Sequence, residues 1–238
     1  MQTVCSIHDL YFKRGEDFIL KVPSLQVQEG IATAIIGQSG CGKSTLLECI
    51  ALMHESARFK GFYLKGRDIL SLTKANQDAL IQKKMGFMPQ TNGLLPFLSV
   101  FDNLKVQIDI SCKSYSQDKR QALLDDALLM VKTLGISDCI NKKPHEMSIG
   151  QRQRASFIRS IAHRPYLVLI DEPTSALDPM HAQDIFSTIF DICKNYNLAA
   201  LVVTHDQKGV YAQNYDIYAY KMQDGINSFF HEGDSNVI

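Results

Sequence analysis

The sequence lacks several features that mark large protein classes. Net charge is the first, because Lys plus Arg and Asp plus Glu both number 25 in 238 residues. With no basic excess and no charged tail, no bulk electrostatic reason exists to expect nucleic acid as a partner. A C-x-x-C pair is also missing. Cys5, Cys41, Cys49, Cys112, Cys139 and Cys193 are scattered, which speaks against a zinc knuckle or dithiol redox motif and fits free thiols in a reducing compartment. No apolar run is long. Residues 31–36 and 198–203 each suit a buried strand and cannot cross a bilayer as helices. If the protein works at a membrane, another chain supplies the crossing. Residues 1–9 contain no basic stretch followed by an apolar core, so no signal peptide is expected. Repeats and low-complexity linkers are absent too.

What remains is a globular profile, 45% hydrophobic and 21% charged, long enough for one large domain or a core with a subdomain. Residues 7–27 read as antiparallel strands broken at Lys13-Arg14-Gly15-Glu16-Asp17. Residues 31–36 form a near-continuous apolar strand, as expected when both faces are covered. A helix is predicted over 44–53 with Leu46, Leu47 and Ile50 inward. Short strands follow between Gly61 and Gly66 and over 85–88. From about Leu94 to Leu134 the pattern turns helical, strongest over 117–134, where Leu123, Leu124, Leu128, Met130 and Val131 form the apolar set. Then come a helix from Ile149, a strand over 167–170, a helix near 179–195, a strand over 199–203, a short helix, and strands near 217–220 and 226–230. Alternating strands and helices imply an α/β core with a mostly parallel sheet. The helical block between strands reads as an insertion.

Gly37-Gln38-Ser39-Gly40-Cys41-Gly42-Lys43-Ser44-Thr45 fits the phosphate-binding pattern G-x-x-x-x-G-K-S/T. Glycines let successive N–H groups turn toward phosphate oxygens, and the following helix start adds its positive dipole end. Lys43 is expected to reach the β- and γ-phosphates and Ser44 to ligate Mg²⁺. The reading as an ordinary glycine turn is disfavoured, because the pattern sits between a buried strand and a helix, the context that goes with the motif. Leu167-Val168-Leu169-Ile170-Asp171-Glu172 is an apolar strand ending in two carboxylates. In isolation it is a common solvated strand end. With the P-loop upstream, Asp171 is expected to hold Mg²⁺ and Glu172 to polarise the attacking water. Cys41 reads as a small residue fitting a tight turn. Its alkylation is expected to inhibit hydrolysis, with bound ATP protecting.

Met147-Ser148-Ile149-Gly150-Gln151, followed by Arg152-Gln153-Arg154, resembles the L-S-G-G-Q signature of ABC ATPases. In isolation it would be a serine N-cap on an ordinary helix. Phe87-Met88-Pro89-Gln90 resembles the family's Q-loop, Ser175-Ala176-Leu177-Asp178 its D-loop and Val203-Thr204-His205-Asp206 its H-loop. The resemblance runs from about Ile7 to Phe230. It implies a P-loop NTPase core with an antiparallel β subdomain and an inserted α-helical subdomain. The whole of 1–238 is then one domain, with the RecA-like core at about 1–90 and 163–238 and the helical part at about 91–162.

The same resemblance implies an ATPase that uses ATP and Mg²⁺. Gln90 would sense the metal and His205 the γ-phosphate. Ser148, Gly150, Gln151 and Asp178 would act across a head-to-tail dimer on the partner's nucleotide. Arg14 falls near the adenine-stacking place, with Tyr11 and Phe12 close by; a guanidinium can also stack on a base. Implied partners are a transmembrane permease and a second ATPase subunit, a homodimer being preferred. The implied location is cytoplasmic, on the inner face of the membrane through that partner. Lys143-Pro144-His145-Glu146 resembles separate subunits of importers and lipid-handling systems rather than fused exporters. A soluble assembly or cell-division ATPase is the alternative. Ile149 stands where the signature usually has its first glycine; it narrows the allowed backbone angles and adds bulk, which leaves room for a different trans-site geometry or rate, and activity is expected to survive because Ser148, Gly150 and Gln151 are intact.

Overall fold

The computed structural model describes residues 2–91, 93–175 and 177–233. Ten strands form one sheet. In chain order they are β1 (Thr3–Arg14), β2 (Phe18–Gln28), β3 (Ala32–Ile36), β4 (Gly61–Leu64), β5 (Arg67–Asp68), β6 (Met85–Met88), β7 (Leu167–Asp171), β8 (Ala199–Thr204), β9 (Asp216–Gln223) and β10 (Ile226–His231). The helices are α1 (Lys43–Ile50), α2 (Lys74–Lys84), α3 (Val100–Ser111), α4 (Gln117–Thr133), α5 (Ile149–Ile161), α6 (Pro179–Tyr196) and α7 (Gln207–Tyr211).

The sheet order is β5-β4-β1-β2-β10-β9-β3-β8-β7-β6. From β9 to β6 every neighbouring pair is parallel, whereas β1, β2, β4 and β5 pair antiparallel. The composition explains the split. β3, β7 and β8 are buried at every position, as parallel strands covered on both faces must be. β1 and β2 tend to alternate between buried and exposed positions. Their hairpin closes at Gly15 (φ +63°), which puts Arg14 opposite Phe18.

Pleating sends alternate residues of the central strands into two cores. Leu167, Leu169, Leu201 and Val203 join α1 and the β1–β2 hairpin, while Val168, Ile170, Ala200 and Val202 join α3 to α6. Leu46, Leu47 and Ile50 fix α1 by full burial, worth about 1.5–3 kcal/mol each. That helix stops at Ile50 rather than Met53 because Leu52 turns left-handed at φ +54°.

Two elements are new relative to the sequence pattern, α2 and the two-residue strand β5. No residue of α2 is buried, so it has no apolar stripe to read. At the far edge of the sheet, a Cβ built on Gly86 of β6 would lie 2.0 Å from the Ser160 carbonyl oxygen of α5. Strand and helix therefore meet backbone to backbone. Beside that contact the buried His163 ring is 3.0 Å, through Nε2, from the Met85 carbonyl, and burial pushes its pKa down to about 4.

Candidate nucleotide site

The loop between β3 and α1 carries the predicted P-loop, and crowding explains two of its glycines. A Cβ on Gly37 would meet Tyr220 Cβ at 2.7 Å and Cys41 Sγ at 2.9 Å. Gly42 has φ +100°, and a Cβ there would lie 2.8 Å from Phe18 Cζ. Gly42 is also the N-cap of α1 and makes no side-chain cap, so the first N–H groups of that helix have no side-chain acceptor from it. Lys43 is buried, and its Nζ donates to the carbonyls of Gly37 (2.9 Å) and Gln38 (3.0 Å). Ser39 and Gly40 are exposed at the rim, Thr45 is buried, and the Gln38 side chain bonds Tyr220.

The two carboxylates at the end of β7 reach the same place. Ser44 Oγ donates to Asp171 Oδ1 at 2.9 Å. Burial raises the pKa of Asp171, and the Ser44 bond offsets part of that rise. Glu172 Oε1 pairs with Lys43 Nζ at 3.3 Å. Its Oε2 lies 2.7 Å from His205 Nδ1 and accepts from His205 N (3.3 Å) and Thr204 Oγ1 (3.4 Å). Glu172 adopts φ +46°, while its N–H still donates to the Val203 carbonyl at 2.9 Å. The backbone is thus held in a disfavoured region where a carboxylate must be aimed. A cleft of about 280 Å³ opens here, lined by Arg14, Phe18, Gly40, Lys43, Gln90 and Glu172 among others. On the far side of His205 a wider cleft of about 710 Å³ includes Ser175, Leu177 and Asp206.

Five predicted residues therefore converge: Lys43, Ser44, Asp171, Glu172 and His205, with Gln90 at the cleft wall. Ser148, Gly150, Gln151 and Asp178 do not line this cleft. Ser148 Oγ accepts from Gln151 N, and Gln151 Oε1 accepts from Ser148 N, a reciprocal cap that opens α5. Ile149, 40% exposed, is the first residue of that helix and is absent from the positive-φ residues. The expected backbone restriction at Ile149 therefore has no force, and only its bulk remains. Gly150 has open space where a Cβ would go. Asp178 caps α6 and pairs with His181 at 2.6 Å, which holds its carboxyl below the usual range. Ala176 of the expected D-loop lies outside the described residues, as do Met1, Asn92 and residues 234–238 of the expected 1–238 domain.

Of the residues near the expected adenine place, Phe12 is buried in the β1–β2 core. The aromatic ring at the cleft is Phe18, whose face lies 5.0 Å from the Arg14 guanidinium. Sequence reading passed over Phe18 because only the hairpin register brings it under Arg14. Cys41 is buried, and burial raises its thiol pKa. The alkylation expected there is disfavoured, and the reading as a small turn residue stands.

A family model described as ABC transporter matches residues 20–175. The chain belongs to the ABC transporter family. This ABC transporter subunit is 30% identical over 190 residues to the lipoprotein-releasing system ATP-binding protein LolD of Porphyromonas gingivalis, covering 80% of this chain and 84% of that one. It is 35% identical over 194 residues to the methionine import ATP-binding protein MetN of Clostridioides difficile, covering 82% and 58%. With the bicarbonate transport ATP-binding protein CmpC of Synechocystis, identity is 34% over 192 residues, and the chain spans 27% of that protein. Among solved structures, the dimeric post-hydrolysis state of an ATP-binding cassette bound to ADP and Pi matches with a TM-score of 0.73 at 25% identity, covering 93% of this chain and 95% of that one. The fold is that of an ABC ATPase, and the activity that goes with it is ATP binding and hydrolysis in the service of transport.

Proposed function

We propose that this chain is the energy-converting subunit of a membrane transporter and that the converging residues divide the work as follows. The carrying observation is the relay from Lys43 through Glu172 to His205, with contacts of 3.3 and 2.7 Å. ATP phosphates enter at the bare start of α1, where Lys43 exchanges Glu172 for phosphate oxygens. The displaced carboxylate, still held by His205 and Thr204, takes a proton from water as the water oxygen attacks the γ-phosphorus and the bond to ADP breaks. A buried carboxylate beside a hydroxyl, Asp171 with Ser44, is a hard-oxygen pair that suits Mg²⁺, with Gln90 nearby. Mg²⁺ bound there supplies charge neutralisation of the phosphates. Arg14, backed by Phe18, faces the base.

The second half of the site comes from another copy. The exposed start of α5, with free space over Gly150, suits the γ-phosphate held by a facing subunit, and Asp178 lies on the same dimer contact. We take the dimer to be of identical chains. Residues of about 91–162 act as the helical arm carrying that start, and the rest as the core. No helix among the described residues is long and apolar enough to cross a membrane, so a permease subunit provides the path and holds this chain at the inner face. Glu172→Gln tests the assignment. Turnover should fall at least about 100-fold, while ATP-dependent dimers, read by light scattering, accumulate. Hydrolysis at the parent rate would remove Glu172 from the reaction.

A further inference from the structure

Behind the nucleotide cleft, Tyr220 of β9 and Asn227 of β10 form a polar link that the chemistry above does not use. Neither is among the residues that line the cleft. Asn227 is buried and bonded at both ends of its amide. Its Oδ1 accepts from the Tyr220 hydroxyl at 2.9 Å, and its Nδ2 donates to the Ile19 carbonyl of β2 at 2.9 Å. The Gln38 side chain of the P-loop bonds the same Tyr220 hydroxyl. A phenol has one proton, here given to Asn227, so its oxygen is left to accept from Gln38.

The Tyr220 ring is pressed against the same loop. A Cβ built on Gly37 would lie 2.7 Å from Tyr220 Cβ and 3.3 Å from its Cγ. From β10, the buried Phe229 supports the ring at 5.8 Å. Gly37 and Gln38 are the two residues whose carbonyls hold Lys43 Nζ, at 2.9 and 3.0 Å. At the other end of the link, Ile19 follows Phe18, the cleft ring that carries the Arg14 guanidinium on its face. β10 pairs with β2 only from Ile226 opposite Ile19 to Ser228 opposite Lys21, so Asn227 stands in the middle of a short seam. The route from Gln38 through Tyr220, Asn227 and Ile19 to Phe18 is continuous. A residue that only filled space beside Gly37 would need a ring and no hydroxyl. What the hydroxyl adds is a fixed separation between two segments of chain that the cleft must use together.

We propose that Tyr220 and Asn227 are positioning residues that lock the phosphate-binding loop and the base-contacting hairpin at one spacing, matched to a ligand that carries base and triphosphate together. The base end of this inference rests on the proposed function, in which Arg14 and Phe18 face the base. ATP has a limited span between base and γ-phosphate, and a preorganised pair of subsites binds it without first paying to order them. With the link cut, loop and hairpin keep their local contacts and lose their common register.

The test compares the affinities of the full chain for Mg-ATP and for magnesium tripolyphosphate, which carries the phosphates and no base. Tyr220→Phe keeps the ring on Gly37 and removes only the hydroxyl. It should weaken ATP about tenfold and tripolyphosphate less than twofold, and raise KM for ATP in step while kcat at saturation stays within twofold. Asn227→Leu cuts the same link from β10. It should lower the ratio of ATP to tripolyphosphate affinity by the same factor, whatever the unpaired Ile19 carbonyl costs in Tm. The double variant should match either single one, because one link is broken only once. Parent ATP affinity in Tyr220→Phe, equal losses for the two ligands, or additive losses in the double variant would overturn the proposal. Phe18→Ala tests the base end by itself and should lower the same ratio about tenfold. An unchanged ratio there would remove the base contact and the proposal together. A loss there without one in Tyr220→Phe would overturn the link and leave the base contact standing.

Discussion

Two helices of this molecule begin at points expected to meet phosphate, and they are built in opposite ways. α1 starts at Gly42 in a left-handed turn with no side-chain cap, enclosed by Phe18 and a buried lysine. α5 starts at Ser148 with a complete capping box, exposed, and with empty space over Gly150. A bare helix start leaves donors that a ligand must satisfy, so α1 reads as a site within the chain. A capped start is already stable in water, and α5 reads as a surface offered outward. On the function proposed above, the difference means that a resting subunit holds its own nucleotide at α1 while the start of α5, already satisfied by its own cap, is left to face another molecule.

The sharpest attack on that contrast is at Gly42. Ala there must hold φ near +100° and displace Phe18. Strain of about 1–3 kcal/mol should reduce ATP affinity at least tenfold, by titration, with a matching loss of stability. Gly150→Leu should behave in reverse. A Cβ there meets nothing within 4 Å and the helix start is exposed, so Tm and ATP affinity of the isolated chain should hold while turnover at high protein concentration drops about tenfold. Parent turnover in that variant would sink the outward reading of α5. The smallest effect belongs to Ser148→Ala, which removes one half of the capping box. It should cost about 1 kcal/mol in denaturant unfolding and leave ATP binding by α1 unchanged; a change in binding would mean the two helix starts are not independent.

Much of this was legible in the chain because the decisive signals are local. The P-loop glycines, the apolar strand ending at Asp171-Glu172 and the Ser148–Gln151 capping spacing each lie within a few residues. α2 escaped because none of its residues is buried and its period therefore carries no apolar mark. Phe18 escaped because its place depends on pairing with Arg14 across the hairpin. The inward turn of Cys41, and the contact of Lys43 with Glu172 across 129 positions of chain, are likewise products of folding. Arg159 is the extreme case. A lone arginine in a sequence looks like any other, and only packing reveals that its Nε is buried without a hydrogen-bond partner among the described residues.

The backbone contact between Gly86 and Ser160 has a mechanical consequence. It leaves no side chain between strand and helix to slide or repack, and His163 ties the same end to Met85. α5 is therefore an oar with its inboard end in a rowlock. Its 13 residues span about 20 Å, so each ten degrees of tilt at β6 sweeps the Ser148 end through roughly 3–4 Å.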